Sequence, residues 1–149
     1  MIALDCDNHF ALWREQARTL LSHGIDPAQV SWAQGPIDDL LAVPTPLPEG
    51  RGPFQAKVPA ALLSQLEQAA RYHGEQRWNL LYVVVWRVAH GDRTAMLAGD
   101  RLGSELHRRI KQVSREAHHL HAFVRFVPLP VLLAEQLQLD LVAYHEPAH

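Results

Sequence analysis

Arg108, Lys111, Arg115, His118 and Arg125 recur at intervals of three, four and seven residues, which places them within an arc of roughly 100° on an ideal helix. Cations at that spacing can lie along a polyanion such as a phosphate backbone. The same stripe serves equally as a solvated face, because surface helices need polar groups outside. The residues leave both readings open. His118 makes the charge depend on pH, since an unperturbed imidazole titrates at about 6.5.

The chain has ten histidines, and four of them, His118, His121, His145 and His149, are the weak candidates for metal ligands. His118 and His121 share a helix face, and imidazole is a common zinc ligand. Against this, no HExxH occurs, and Pro147 between His145 and His149 opposes a regular helical pairing. Polar surface groups or hydrogen-bonded rings explain these histidines as well, so no metal and no cofactor is expected. Glu116 and Glu146 each stand beside a histidine and are the carboxylates best suited to acid–base work, although adjacency in sequence fixes no geometry. Cys6 is the single thiol, and neither a G-x-S-x-G turn nor a phosphate-cradling glycine loop is present. No catalytic residue is assigned. Phe126 and Tyr144 are the aromatics placed to stack on an unpaired base, with core packing as the alternative.

The chain has 149 residues, a natural length for one domain, and 48% of them are hydrophobic against 20% charged, as in ordinary globular proteins. Net charge is −2, so binding to nucleic acid has to rest on local clustering. Residues 101–125 supply it, with Arg101, Arg108, Arg109, Lys111, Arg115 and Arg125 against Glu105 and Glu116. One cysteine excludes an intrachain disulfide framework and fits a reducing cytoplasm. No targeting segment is read, and the longest apolar run, Leu80 to Trp86, is too short to cross a bilayer.

The basic stripe needs a helix behind it. Leu102, Leu106, Ile110, Val113, Ala117, Leu120 and Val124 supply an apolar stripe on the opposite side, predicting a long amphipathic helix over 100–126. Its partners are three further helices. Phe10, Trp13, Ala17, Leu20 and Leu21 keep helical spacing from an Asn8 cap to Gly24. Asp26-Pro27 predicts a short helical turn before Val30-Ser31-Trp32. Leu62, Leu63, Leu66, Ala69, Ala70 and Tyr72 mark a second helix from Pro59 to near Gly74, following a short strand read over Phe54 to Val58. Trp78, Leu81, Tyr82, Val85 and Trp86 mark a third, central helix ending at Gly91-Asp92, against the β propensity of Val83-Val84-Val85. Residues 33–53 are Pro/Gly-rich and read as a loop. Phe123 to Leu133 begins inside the end of the 100–126 helix and passes through Pro128 and Pro130, so the helix yields to an extended segment near Phe126. With the alternation of Leu137, Leu139, Leu141 and Ala143, that segment forms an antiparallel hairpin. The expected fold class is α+β: a mostly helical single domain over 1–149 with a C-terminal antiparallel β-hairpin.

REAHHLHAFVRF at Arg115 to Phe126, followed by LVAYHEPAH at Leu141 to His149, resembles the signature of a family assigned to DNA metabolism or DNA repair but of unknown function. WREQARTLLSHGIDPAQVSW at Trp13 to Trp32 is similar to that family's N-terminal helix and turn. FQAKVPAALLSQLEQAARYH and RWNLLYVVVWRVAHGD are similar to its two central helices. The sharpest motif is H-x-x-x-AFVRF, carried by His118, Ala122, Phe123, Val124, Arg125 and Phe126. The resemblance implies a domain found beside a radical-SAM protein, or fused ahead of a uracil-DNA glycosylase superfamily domain. There are two departures. His119 stands where the family usually has a basic residue, and the chain stops at His149 where members usually continue, as a C-terminally truncated domain would. Uracil excision is not implied, because the glycosylase domain and its cluster cysteines are not in this sequence. The expected function is a cytoplasmic accessory in DNA metabolism that binds nucleic acid or positions such a partner. The alternatives are a metal-dependent enzyme acting on nucleic acid and a protein-interaction module.

Overall fold

A computed structural model of the chain describes residues 1–33 and 46–126, with side chains as far as Ala117. The elements run β1 (Ile2–Leu4), α1 (Phe10–Ser22), a 3₁₀ turn (Pro27–Gln29), β2 (Val30–Trp32), α2 (Ala60–Ala70), α3 (Arg77–Ala89), a second 3₁₀ turn (Arg93–Met96) and α4 (Arg101–Phe126). The strands are parallel, pairing Ile2 with Val30 and Leu4 with Trp32, and α1 makes the crossover that a parallel pair requires.

The helix ends follow local chemistry. After α1, Gly24 takes φ +66°, and the chain closes with Gly24 N–H donating to Leu21 O and Ile25 N–H to Leu20 O, each at 3.0 Å, a Schellman ending. After α3, Gly91 turns at φ +92°. Asp26 caps the first 3₁₀ turn by accepting from Ala28 N at 2.8 Å.

Helix α3 is the centre. Trp78, Leu80, Leu81, Tyr82, Val84, Val85 and Val88 are buried on it, and it touches α1, α2, α4 and β2. Burial outweighs propensity here: a valine costs a helix at most about 0.7 kcal/mol, while burying its side chain gains roughly 1.5–3 kcal/mol. Around α3 the aromatic rings interlock. Trp13 lies 5.4 Å from Phe10, 6.2 Å from Trp32 and 6.3 Å from Trp78 between centroids, and its indole N–H donates to Trp78 O at 3.2 Å. The Tyr82 hydroxyl donates to Ile25 O at 2.7 Å, and burial pushes that phenol well above its ordinary pKa. Cys6 is buried too, and burial raises its thiol to about 11, so it is protonated at neutral pH and is a poor nucleophile.

The apolar stripe of α4 is expected to pack against the Trp78 to Trp86 helix, but α4 packs mainly on α2, with a smaller contact to α3. Its first turn is fixed by Asp100, whose Oδ2 accepts from Leu102 N at 2.9 Å and Gly103 N at 3.0 Å. Arg87 forks onto the same carboxylate at 2.8 and 3.0 Å and holds it well below the usual carboxylate range. Gly103 is required by close approach, since a Cβ there would lie 2.1 Å from Leu97 O.

The fold class read from the sequence is corrected by these elements. The described chain is mostly helical, its sheet is the short parallel pair at the N-terminus, and no C-terminal antiparallel hairpin is found among the described residues. Residues 127–149, to which most of that hairpin was assigned, lie outside the described residues, while 123–126 form the last turn of α4. Phe54 to Val58 is not a strand either; Phe54 N–H donates to Ser22 O at 2.9 Å, so this backbone is tied to the end of α1 instead of to a sheet. Asn8 does not cap α1. It sits at φ +59°, its side-chain oxygen accepts from Arg77, and His9 holds the cap position without a side-chain bond. Of the loop at 33–53, residues 46–53 carry no helix or strand, and 34–45 lie outside the described residues. Among the described residues no helix is long and apolar enough to cross a membrane.

Candidate functional site

The inner face of α4 is anchored as its periodicity requires. Leu106 and Val113 are buried, with Ile110 partly buried against the core. That orientation turns Arg108, Lys111 and Arg115 outward, and all three are exposed. Arg101, seven residues before Arg108, is exposed as well and extends the same line. Its seven-residue spacing from Arg108 is the sequence signal for it. From Arg101 to Arg115 the row is about 21 Å long at 1.5 Å per residue.

The cations are not equivalent. Glu105 is a hub: its carboxylate accepts from Arg108 Nε at 3.0 Å and Nη2 at 2.7 Å, and from Arg109 Nε at 2.9 Å. Both guanidinium groups stand over the Tyr72 ring, Arg108 at 5.4 Å and Arg109 at 5.2 Å from its centroid. Arg109 is turned inward, is only 7% exposed, and donates to Glu75 O at 2.8 Å, tying α4 to the segment before α3. Arg109 is therefore structural, while Arg108 presents a charge that Glu105 already partly offsets. Among the described residues Arg101, Lys111 and Arg115 have no ion-pair partner, which makes them the cations of the row most available to an outside anion. Gln112 donates to Glu116 at 3.3 Å, so Glu116 stays on the flank of the row.

The two arginines, Arg108 first and then Arg109, depress Glu105 from 4.5 to about 2. A carboxylate depressed in the folded state stabilises fully above its unfolded pKa and loses that contribution as pH falls through the folded value. Urea unfolding followed by circular dichroism should thus show stability declining as pH drops from about 4.5 towards 2, and Glu105→Gln should flatten that acid limb. An unchanged limb in the variant would mean that the hub is not formed in solution.

The remaining sequence-derived residues lie beyond this part of the helix. His118, His121 and Arg125 belong to α4 by backbone, with side chains outside the described residues, as are His145 and His149 altogether. Among the described residues no group of three or more histidine, cysteine, aspartate or glutamate side chains is placed to hold a metal ion.

A family model for a domain of unknown function, DUF4130, matches residues 75–149. The chain belongs to the DUF4130 family. The DUF4130 region holds α3, α4 and the whole basic row, and it begins at Glu75, whose carbonyl receives Arg109. Trp13, Leu20, Leu62 and Leu66 precede it and pack in the same core as Trp78 and Leu106. No curated protein and no solved structure matches the chain.

Proposed function

We propose that this DUF4130 protein is an accessory domain in DNA metabolism or repair that holds nucleic acid along the outer face of α4 and presents it to a catalytic partner. The observation that carries the reading is the row of exposed cations, Arg101, Arg108, Lys111 and Arg115, on a helix fixed by its buried opposite face. Such a row meets phosphates without reorganising the backbone, and it carries charge rather than base identity, so binding is weakly sequence-selective and salt-sensitive. The resemblance of the AFVRF and EPAH segments supports the choice of DNA, and supports a radical-SAM protein or a uracil-DNA glycosylase superfamily domain as the partner. His118 and Arg125 extend the row in this reading, His118 contributing more once protonated.

Fluorescence anisotropy with single-stranded and duplex oligonucleotides over a salt series tests the proposal. Replacing Lys111 and Arg115 by Gln removes two phosphate contacts, so the log–log salt slope should become shallower by up to ~1.8 on duplex or ~1.4 on single strands. Absence of binding by the wild type at low salt, or a variant indistinguishable from it, would reassign the face to an acidic protein surface or to solvation.

A further inference from the structure

A second basic surface lies away from α4. One face of α1, formed by Arg14, Ala17, Arg18 and Leu21, stands opposite the segment from Arg51 to Val58 across a cleft of about 580 Å³. Trp13, Leu63 and Val85 complete its apolar lining, and no described residue of α4 lines it. Among the described residues three arginines and no carboxylate border this space. Arg18 has only a loose pair with Glu15, at 4.0 Å with both side chains about half or more exposed, and Arg14 and Arg51 have no ion-pair partner among the described residues.

The wall opposite α1 is built rather than incidental. Gly52 N–H donates to Ser22 Oγ at 2.9 Å, Phe54 N–H to Ser22 O at 2.9 Å, and the His23 ring to Gly50 O at 3.0 Å. A Cβ at Gly52 would lie 2.3 Å from Ser22 O, so this close approach admits only glycine. The Phe54 ring is stacked on His90 at 5.0 Å with 12° between planes, and His90 is itself held by its Nδ1 bond to Trp86 O at 2.8 Å. Phe54 therefore reaches the cleft as a fixed ring that keeps part of its surface exposed.

We infer that this cleft is a nucleotide site: the phosphate on Arg14, Arg18 and Arg51, and the base over the apolar lining beside Phe54. The volume falls in the roughly 300–1,000 Å³ range of small-molecule sites, which are largely apolar with a few placed polar groups. Guanidinium groups match phosphate oxygens in pairs. A planar base uses an aromatic ring, and the Gln55 amide lining the cleft gives its polar edge a partner. The cleft is also open to solvent along one side, which suits a ligand with polar edges better than an alkyl chain. The site shares no residue with the α4 row, so it stands or falls independently of nucleic-acid binding there.

Isothermal titration of the full chain with thymidine 5′-monophosphate and adenosine 5′-monophosphate, beside inorganic phosphate and octanoate, is the test. At least one nucleotide should bind tenfold or more tightly than both inorganic phosphate and octanoate. A double Arg14→Gln, Arg51→Gln variant should lose at least tenfold. Ala56→Trp, which fills the cleft from an exposed position and keeps its charges, should abolish binding with the circular dichroism spectrum unchanged. The Lys111→Gln, Arg115→Gln protein should bind nucleotide as the wild type does, even where it has lost oligonucleotide. No nucleotide binding, octanoate binding as tightly as either nucleotide, or affinity unaffected by both cleft variants would overturn the assignment.

Discussion

Trp13→Ala should lower the stability of the chain by about 3–5 kcal/mol, the cost of emptying a large aromatic site in a packed core. Trp13 is 1% exposed, touches three other aromatic rings and gives its indole N–H to Trp78 O. Its loss opens a cavity between β2, α1 and α3 and leaves a buried carbonyl without that donor. Domains have about 5–15 kcal/mol in all, so a large share of the total is at stake. For a chain of this size the melting temperature should fall by roughly 6–20 °C. Leu12→Ala, one residue away at 42% exposure, should stay within about 0.5 kcal/mol of wild type. Calorimetry on the pair checks the layout, and equal melting temperatures would mean that α1 is turned differently.

The second large effect concerns α4. Leu106 is fully buried on the helix that carries the basic row, and Leu106→Ala should cost on the order of 2–5 kcal/mol depending on how far the site collapses. Leu97, at 58% exposure just before this helix, is the matched control and should change little when truncated. The inner face of α4 orients the outer one, so at temperatures where Leu106→Ala begins to unfold, oligonucleotide binding should disappear with the helical signal. Binding that persists after that loss would show that the row does not need the fold.

The helices were legible because their determinants are local. Trp13, Ala17 and Leu20 repeat with the helical period, Gly24 and Gly91 stop the turns, and the Leu106 to Val113 stripe faces inward as read. The parallel pair was not legible, since Ile2–Leu4 is too short to display alternation and its partner lies across a helix. Asn8 obeys a local capping rule that a distant residue overrides, because Arg77 takes its side chain 69 positions on. Phe54 to Val58 alternates like a strand, yet its backbone is claimed by Ser22. At the site, the exposure of Arg108, Lys111 and Arg115 followed from periodicity. The Glu105 clasp was also within reach, at i,i+3 and i,i+4 from its two arginines. The cleft beside Arg51 was out of reach, because α1 and the Pro/Gly-rich segment meet only in the folded chain.

The central claim, that the outer face of α4 meets nucleic acid, can be read at one atom. The chain has two lysines, Lys57 and Lys111, both exposed and on different surfaces. Limited acetylation followed by mass spectrometry, with and without a saturating duplex oligonucleotide at low salt, compares them within one molecule. The account predicts that Lys111 is protected while Lys57 reacts as before, and that protection is lost as salt rises. Lys111 reacting equally in both samples, or protection confined to Lys57, would contradict it.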